Sequence, residues 1–215
     1  MLTLYYSPGA CSMASHITLE EAGAEYEPKL ISTAKGEQRT PEYLAINPRG
    51  KVPALKIGTD VLTENVAILT YVARRFPDAN LLPNDTFQKA RCLSFMAWLS
   101  NTVHPSFTRV LRPERFIDDP SAHDGIKQSG RDAFWSSLQE LDSLLGGKEW
   151  FAGTQFTVCD PYALVFYGWG KRIELPVQDL KNYTAWKDRM LSRQAVRTVL
   201  EREKSILLAA PAAAA

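Results

Sequence analysis

The hydrophobic pattern of this 215-residue chain switches between two periods as far as Pro77 and keeps only the helical one beyond it. Leu2-Thr3-Leu4-Tyr5-Tyr6 alternates as a strand does, Ser12 to Glu21 has helical spacing and stops at Gly23, and Glu27 to Ile31 reads as a second strand. Pro41 to Ala45 predicts a short helix. Pro53 to Ile57 and Val61-Leu62 predict two strands joined at Gly58-Thr59-Asp60, and Val66, Leu69, Val72, Ala73 and Phe76 line one face of a helix that Pro77 ends. The order β, α, β, α, β, β, α describes a small α/β domain over residues 1–77.

Asn80 to Asp85 carries the turn residues of a boundary, so 78–86 is read as a linker. From 87 to 208 apolar stripes recur at helical spacing: Cys92, Phe95, Leu99 and Val103; Phe134, Leu138, Leu141 and Leu145; Trp186 and Met190; Val196, Val199 and Leu200. Each stripe needs a partner, which predicts an all-helical bundle, with the alanine-rich tail 209–215 expected to fray. Pro105 is expected to kink its helix. Thr157-Val158-Cys159-Asp160 reads as a helix start in which the Thr157 hydroxyl meets the third backbone N–H and the Asp160 carboxylate reaches back to that of Thr157. Phe156 stands where a hydrophobic staple would.

Charge removes two partners. With 25 Lys and Arg against 24 Asp and Glu the formal charge is +1, leaving no basic excess for nucleic acid or an anionic membrane surface. No stretch approaches the roughly 20 apolar residues of a membrane helix, and the N-terminal apolar segment is too short for a secretion signal. A cytoplasmic protein is expected. The three cysteines, Cys11, Cys92 and Cys159, have neither paired spacing nor nearby histidines, so no disulfide framework and no metal site is expected.

Cys11 is the leading candidate for chemistry. It follows a strand through Ser7-Pro8-Gly9-Ala10 and opens a helix, where unpaired N–H groups favour a thiolate. The competing reading is a small buried hydrophobe, the ordinary fate of a free cysteine; Cys92 and Cys159, on apolar faces, are assigned that fate. Tyr5 and Tyr6 point to opposite faces of their strand, so one is core and the other is free to reach a cleft. Val52 precedes a strand-opening Pro53 and can pair with an extended peptide-like ligand. Glu64-Asn65 opens a helix whose N–H groups suit a carboxylate. His104 stands alone beside Pro105.

Taken together, Tyr5-Tyr6-Ser7-Pro8-Gly9-Ala10-Cys11-Ser12, Ile46-Asn47-Pro48-Arg49-Gly50-Lys51-Val52-Pro53, Leu62-Thr63-Glu64-Asn65 with Ala67-Ile68, and Phe156 to Asp160 resemble the cytosolic glutathione transferases, the bacterial beta class in particular. The resemblance implies an α/β plus all-α fold: a thioredoxin-like N-terminal domain, a C-terminal helical bundle domain, and a homodimer. It implies a cis bond before Pro53, Val52 pairing with the cysteinyl part of glutathione, Glu64 and Asn65 at its γ-glutamyl end, and Lys35 or Lys51 at its glycine carboxylate. Cys11, Ser12 and His104 match the residues around the sulfur, with Ser12 and the first helical N–H groups stabilising the thiolate. Tyr6, Phe107, Arg112, Tyr167 and Trp169 are expected around a small hydrophobic electrophile. Asn65, Thr102 and Pro105 depart from the usual pattern, which has Ser or Gly, an acidic residue and Lys at those places.

The expected activity is conjugation of the glutathione thiolate to that electrophile, as part of detoxification, with glutathione as co-substrate and no metal. Two other readings stand beside it. One is a glutathione-dependent disulfide reductase or dehalogenase using Cys11, and the other a non-catalytic glutathione or ligand binder.

Overall fold

The computed structural model describes residues 1–208, and the expected fraying of 209–215 falls outside them. The first region builds β1 (Leu2–Tyr6), α1 (Ser12–Glu21), β2 (Tyr26–Leu30), α2 (Pro41–Leu44), β3 (Ala54–Ile57), β4 (Asp60–Thr63) and α3 (Asn65–Arg75), in the order the sequence predicts. The sheet runs β2-β1-β3-β4, with β1 parallel to β2 and antiparallel to β3, and β3 antiparallel to β4.

Both faces of this sheet are covered, and that decides the two tyrosines of β1. Leu4 and Tyr6, two residues apart, share a face with Leu55 and pack on Leu19 of α1 and Ile68 and Val72 of α3. On the other face Tyr5 packs with Ala54 and with Tyr43 of α2, the two rings edge to face at 5.8 Å. Tyr6 therefore does not reach a cleft: it is 6% exposed and its ring lies 4.6 Å from the His16 imidazole. Sequence alternation detects two faces, but cannot detect that α2 caps the second. The buried face of α3 is centred on Ile68, Leu69 and Val72, with Val66 only half-buried. β2 is the outer strand next to β1, and it is blunted by charged residues and Pro28.

The second region contains α4 (Thr86–Trp98), α5 (His104–Leu111), α6 (His123–Leu144), α7 (Cys159–Arg172), α8 (Lys181–Leu191) and α9 (Gln194–Arg202). Of the expected stripes Cys92, Leu99 and Val103, then Phe134, Leu138, Leu141 and Leu145, are buried, while Phe95 is half-buried and stacks on Phe151 at 4.9 Å. α7 is buried on every side from Cys159 to Gly170, which makes it the central helix. The Cys159 thiol donates to the Cys92 carbonyl at 3.7 Å.

The chain divides into two compact units, one of Met1–Leu81 together with the segment from Arg189 onward, the other of Leu82–Asp188. The residues after Arg189, expected in the helical domain, thus join the first unit, where α9 packs on α1. Charge fixes the contact. Arg193 grips Glu21 with two bonds of 2.6 and 2.7 Å, Arg202 reaches Glu20 at 2.7 Å, and buried Glu203 meets buried His16 at 2.8 Å.

At the start of α7 the Asp160 carboxylate accepts from the Thr157 N–H at 2.8 Å, as expected. The Thr157 hydroxyl accepts from the Cys159 N–H at 3.3 Å, two residues on instead of three. Asp160 also takes the Phe151 N–H at 3.2 Å and the Trp186 indole N–H at 3.0 Å, so the cap is a hub for three segments. The staple residue Phe156 is buried edge-on to Trp150.

The bend expected at Pro105 is absorbed as a wide turn. Proline has no N–H to give and its ring crowds the carbonyl four residues back, and the helix answers with π pitch over Leu99–Val103 before α5 begins. Gly130 of α6 then lets α5 approach closely: a Cβ there would stand 2.6 Å from the Cβ of Arg109 and 2.8 Å from the Ser106 carbonyl.

Candidate functional site

In the first unit three polypeptide turns meet. The turn after β1 delivers Cys11, the loop before β3 delivers Val52 and Pro53 through a cis peptide bond, as expected, and α3 opens at Glu64-Asn65. Cys11 directs its thiol at the Val52 carbonyl, 3.5 Å away, and its own carbonyl accepts from the Asn65 side-chain amide at 2.9 Å.

This setting does not make Cys11 a ready thiolate. Burial pushes its thiol up to about 12, and the Glu64 charge adds to the rise, while a backbone hydrogen bond, Lys51 and Asn65 oppose it without prevailing. A thiol that donates to a carbonyl is held in its protonated form. A helix start favours the anion only where desolvation is smaller than the dipole's contribution, and at Cys11 burial is the larger effect.

Ser12 is held within the same turn. Its hydroxyl accepts from the Ser7 N–H at 3.0 Å and donates to the Ser7 carbonyl at 3.2 Å, and the residue is fully buried. It closes the turn that carries Cys11 and has no surface to offer a ligand sulfur. Asn65 is similarly committed: its carbonyl oxygen accepts from Ser15 at 2.7 Å while its amide holds Cys11, so it ties α3 to the first turns of α1. The backbone N–H groups that open α3 are its remaining contribution to an anion site.

Glu64 is exposed and stands at φ 69°, a left-handed conformation that disfavours a residue with Cβ by on the order of 1 kcal/mol. Nothing in the letters announces this, since no glycine marks it. Arg49 donates to Thr63 at 3.1 Å and lies 3.9 Å from the Glu64 carboxylate. The loop before Pro53 is fixed from below: the Lys51 carbonyl accepts from the Tyr43 hydroxyl and the Asn47 amide, each at 2.7 Å. Tyr43 escaped the sequence reading, because only its fold-level position brings it under this loop. The side chains of Lys35 and Lys51 are exposed.

In the second unit His104 and Phe107 of α5 meet Trp169 of α7. Phe107 stacks on Trp169 at 4.2 Å and 15°, and His104 stands edge-on to the indole at 4.8 Å. Two residues expected beside them lie elsewhere. Tyr167, two positions from Trp169 and so across the helix, packs on Tyr183 and bonds Thr184 at 3.0 Å. Arg112 is exposed past the end of α5, 4.0 Å from Glu114. Among the described residues no group of three His, Cys, Asp or Glu side chains is placed to hold a metal ion, and no helix is long and apolar enough to cross a membrane.

Comparison with known proteins agrees with this geometry. Residues 1–74 match the family model of the glutathione S-transferase N-terminal domain, and 127–194 that of the C-terminal domain. Glutathione S-transferase GstA of Escherichia coli O157:H7 is 33% identical over 206 residues, 94% of this chain and 98% of that protein. A glutathione transferase homologue from Sulfitobacter, solved with bound glutathione, has a TM-score of 0.90 at 32% identity, covering 94% of this chain and 98% of the other. A bacterial beta-class glutathione S-transferase of Sphingomonas chungbukensis has a TM-score of 0.84 at 35% identity, covering 94% and 98%. With two domain models matched in order and relatives aligned over nearly their whole length, the chain belongs to the glutathione S-transferase family.

Proposed function

We propose that this chain conjugates glutathione to small hydrophobic electrophiles, binding the tripeptide where the Cys11 turn, the Val52-Pro53 loop and the start of α3 converge. The observation that carries this reading is that convergence in one unit, together with a glutathione-bound relative of closely similar fold. Val52 presents its backbone as a strand edge to the cysteinyl residue. Glu64 and the opening N–H groups of α3 receive the γ-glutamyl end, whose amine and carboxylate need an acceptor and donors respectively. Lys35 or Lys51 meets the glycine carboxylate.

The glutathione thiol gives its proton to solvent, its sulfur attacks the electrophilic carbon, a C–S bond forms, and the leaving group departs with its electron pair. The first N–H groups of α1 supply the stabilisation of the sulfur anion, since Ser12 is committed to Ser7. The family and the three free cysteines support a cytoplasmic homodimer engaged in detoxification.

The raised Cys11 thiol favours conjugation over disulfide or dehalogenation chemistry at Cys11, because a thiol near 12 is almost wholly protonated at neutral pH. Initial rates with glutathione and an activated aryl halide test this. C11A is expected to retain conjugation, and E64A to raise the glutathione KM by about tenfold or more through loss of a charged hydrogen bond. Glutathione binding without turnover across a panel of electrophiles would leave a binding protein instead.

A further inference from the structure

Glu203 lies just beyond α9 with its side chain fully buried, as is that of His16 in α1. One carboxylate oxygen sits 2.8 Å from His16 Nδ1, and the other accepts the Gly9 backbone N–H at 3.1 Å. On the far side of the imidazole, Arg202 Nη1 stands 2.9 Å from Nε2. A guanidinium only donates, so Nε2 is the acceptor, Nδ1 carries the proton, and a neutral His16 donates to Glu203. Arg202 is held in turn by Glu20 at 2.7 Å and the Tyr26 hydroxyl at 2.9 Å.

This chain of contacts ends on the turn that carries Cys11. That turn is anchored at several points, Asn65 at Cys11 among them. Ser12 holds its base at Ser7, and Glu203 holds its crown at Gly9, whose φ of 69° turns the amide toward the carboxylate. Burying a carboxylate carries a desolvation penalty that an apolar side chain of similar size would avoid. Here the carboxylate accomplishes what an apolar residue cannot, which is to fix the direction of one backbone N–H two residues before Cys11.

We propose that Glu203 is a positioning residue for the transferase reaction, holding the Ser7–Cys11 turn at Gly9 so that the Cys11 and Ser12 N–H groups at the opening of α1 keep their aim on the glutathione sulfur. The proposal rests on the reading that this turn meets that sulfur, and it assigns the last described segment of the chain a part in the chemistry.

The test compares wild type, E203A and E203Q by steady-state kinetics with glutathione and an activated aryl halide across pH, with thermal unfolding measured in parallel. In E203A kcat is expected to fall by about tenfold or more, as misplaced catalytic dipoles do. The glutathione KM changes by less than about threefold, and the pH profile of kcat/KM moves upward, because the sulfur anion is less well stabilised. E203Q keeps one acceptor oxygen for Gly9 and falls between the two. Unchanged kcat and pH profile, or an effect confined to KM, overturns the proposal even if unfolding shifts. Should E203A fail to fold, amide hydrogen exchange of Gly9 in the wild type decides: slow exchange supports the clamp, and exchange at the rate of an open loop refutes it. Wild type that binds no glutathione sinks the underlying reading whatever Gly9 does.

Discussion

The starts of α1 and α7 solve one problem in opposite ways. Each opening turn has backbone N–H groups without helical partners. At α7 the supply is almost entirely local, Thr157 and Asp160 bonding across three residues. At α1 the N-cap residue, Cys11, caps nothing with its side chain, and the approach to the helix is held from a distance by Ser12, Asn65 and Glu203. A local cap serves the helix start from adjacent residues, and its carboxylate is then available to gather Phe151 and Trp186. In the distributed cap the Met13 and Ala14 N–H groups donate back to the Ala10 and Cys11 carbonyls at 3.1 Å, and the aim of the N–H groups before them depends on remote segments.

If this contrast is right, removing one side chain at α7 hurts stability most. D160A leaves the Thr157, Phe151 and Trp186 donors without their acceptor; at roughly 1–3 kcal/mol for each stranded group, a loss of about 4 kcal/mol is expected in chemical denaturation. Function at α1 should suffer with smaller losses in stability. S12A strands the Ser7 N–H and is expected to lower stability by about 2 kcal/mol while loosening the Cys11 turn, visible as faster exchange of the Ser7 amide.

The pH response of the α7 hub sharpens the comparison further. Burial pushes Asp160 up to about 6 despite its hydrogen bonds, so between roughly pH 6 and 4 the folded chain holds a proton that the unfolded chain releases. Protonation therefore favours the folded state in that window. The stability of wild type relative to D160N is expected to rise by about 2 kcal/mol as pH falls from 7 to 4. A difference that stays flat would mean that the bonds to Asp160 outweigh its burial.

The smallest expected effect is at Cys11, where stability is untouched. Alkylation of the ligand-free protein, followed by mass spectrometry, should accelerate by about tenfold for each pH unit from 7 to 10 without levelling, because the thiol lies near 12. A plateau near pH 7 would restore the thiolate that the helix start alone suggests.

The same contrast explains what the letters reveal. Thr157 and Asp160 are three residues apart, so their partnership is written in the local spacing, as are the element order of the first region and the buried stripes of the bundle. Val52-Pro53 carries its own mark in proline. Gly9 and Glu203 are 194 residues apart, and neither residue type announces the other. Tyr6 and Ser12 were expected at a ligand, and each is claimed by packing or hydrogen bonding that depends on the completed fold. Glu64 adopts its left-handed backbone without the glycine or asparagine that ordinarily flags one.

Because the unit that begins with Met1 takes in the segment after Arg189, it is interrupted by the whole of Leu82–Asp188. During synthesis on a ribosome its sheet can form early, but His16 has to wait for an acceptor encoded 187 residues later. Completion of the Cys11 turn is thereby coupled to synthesis of the whole intervening helical segment.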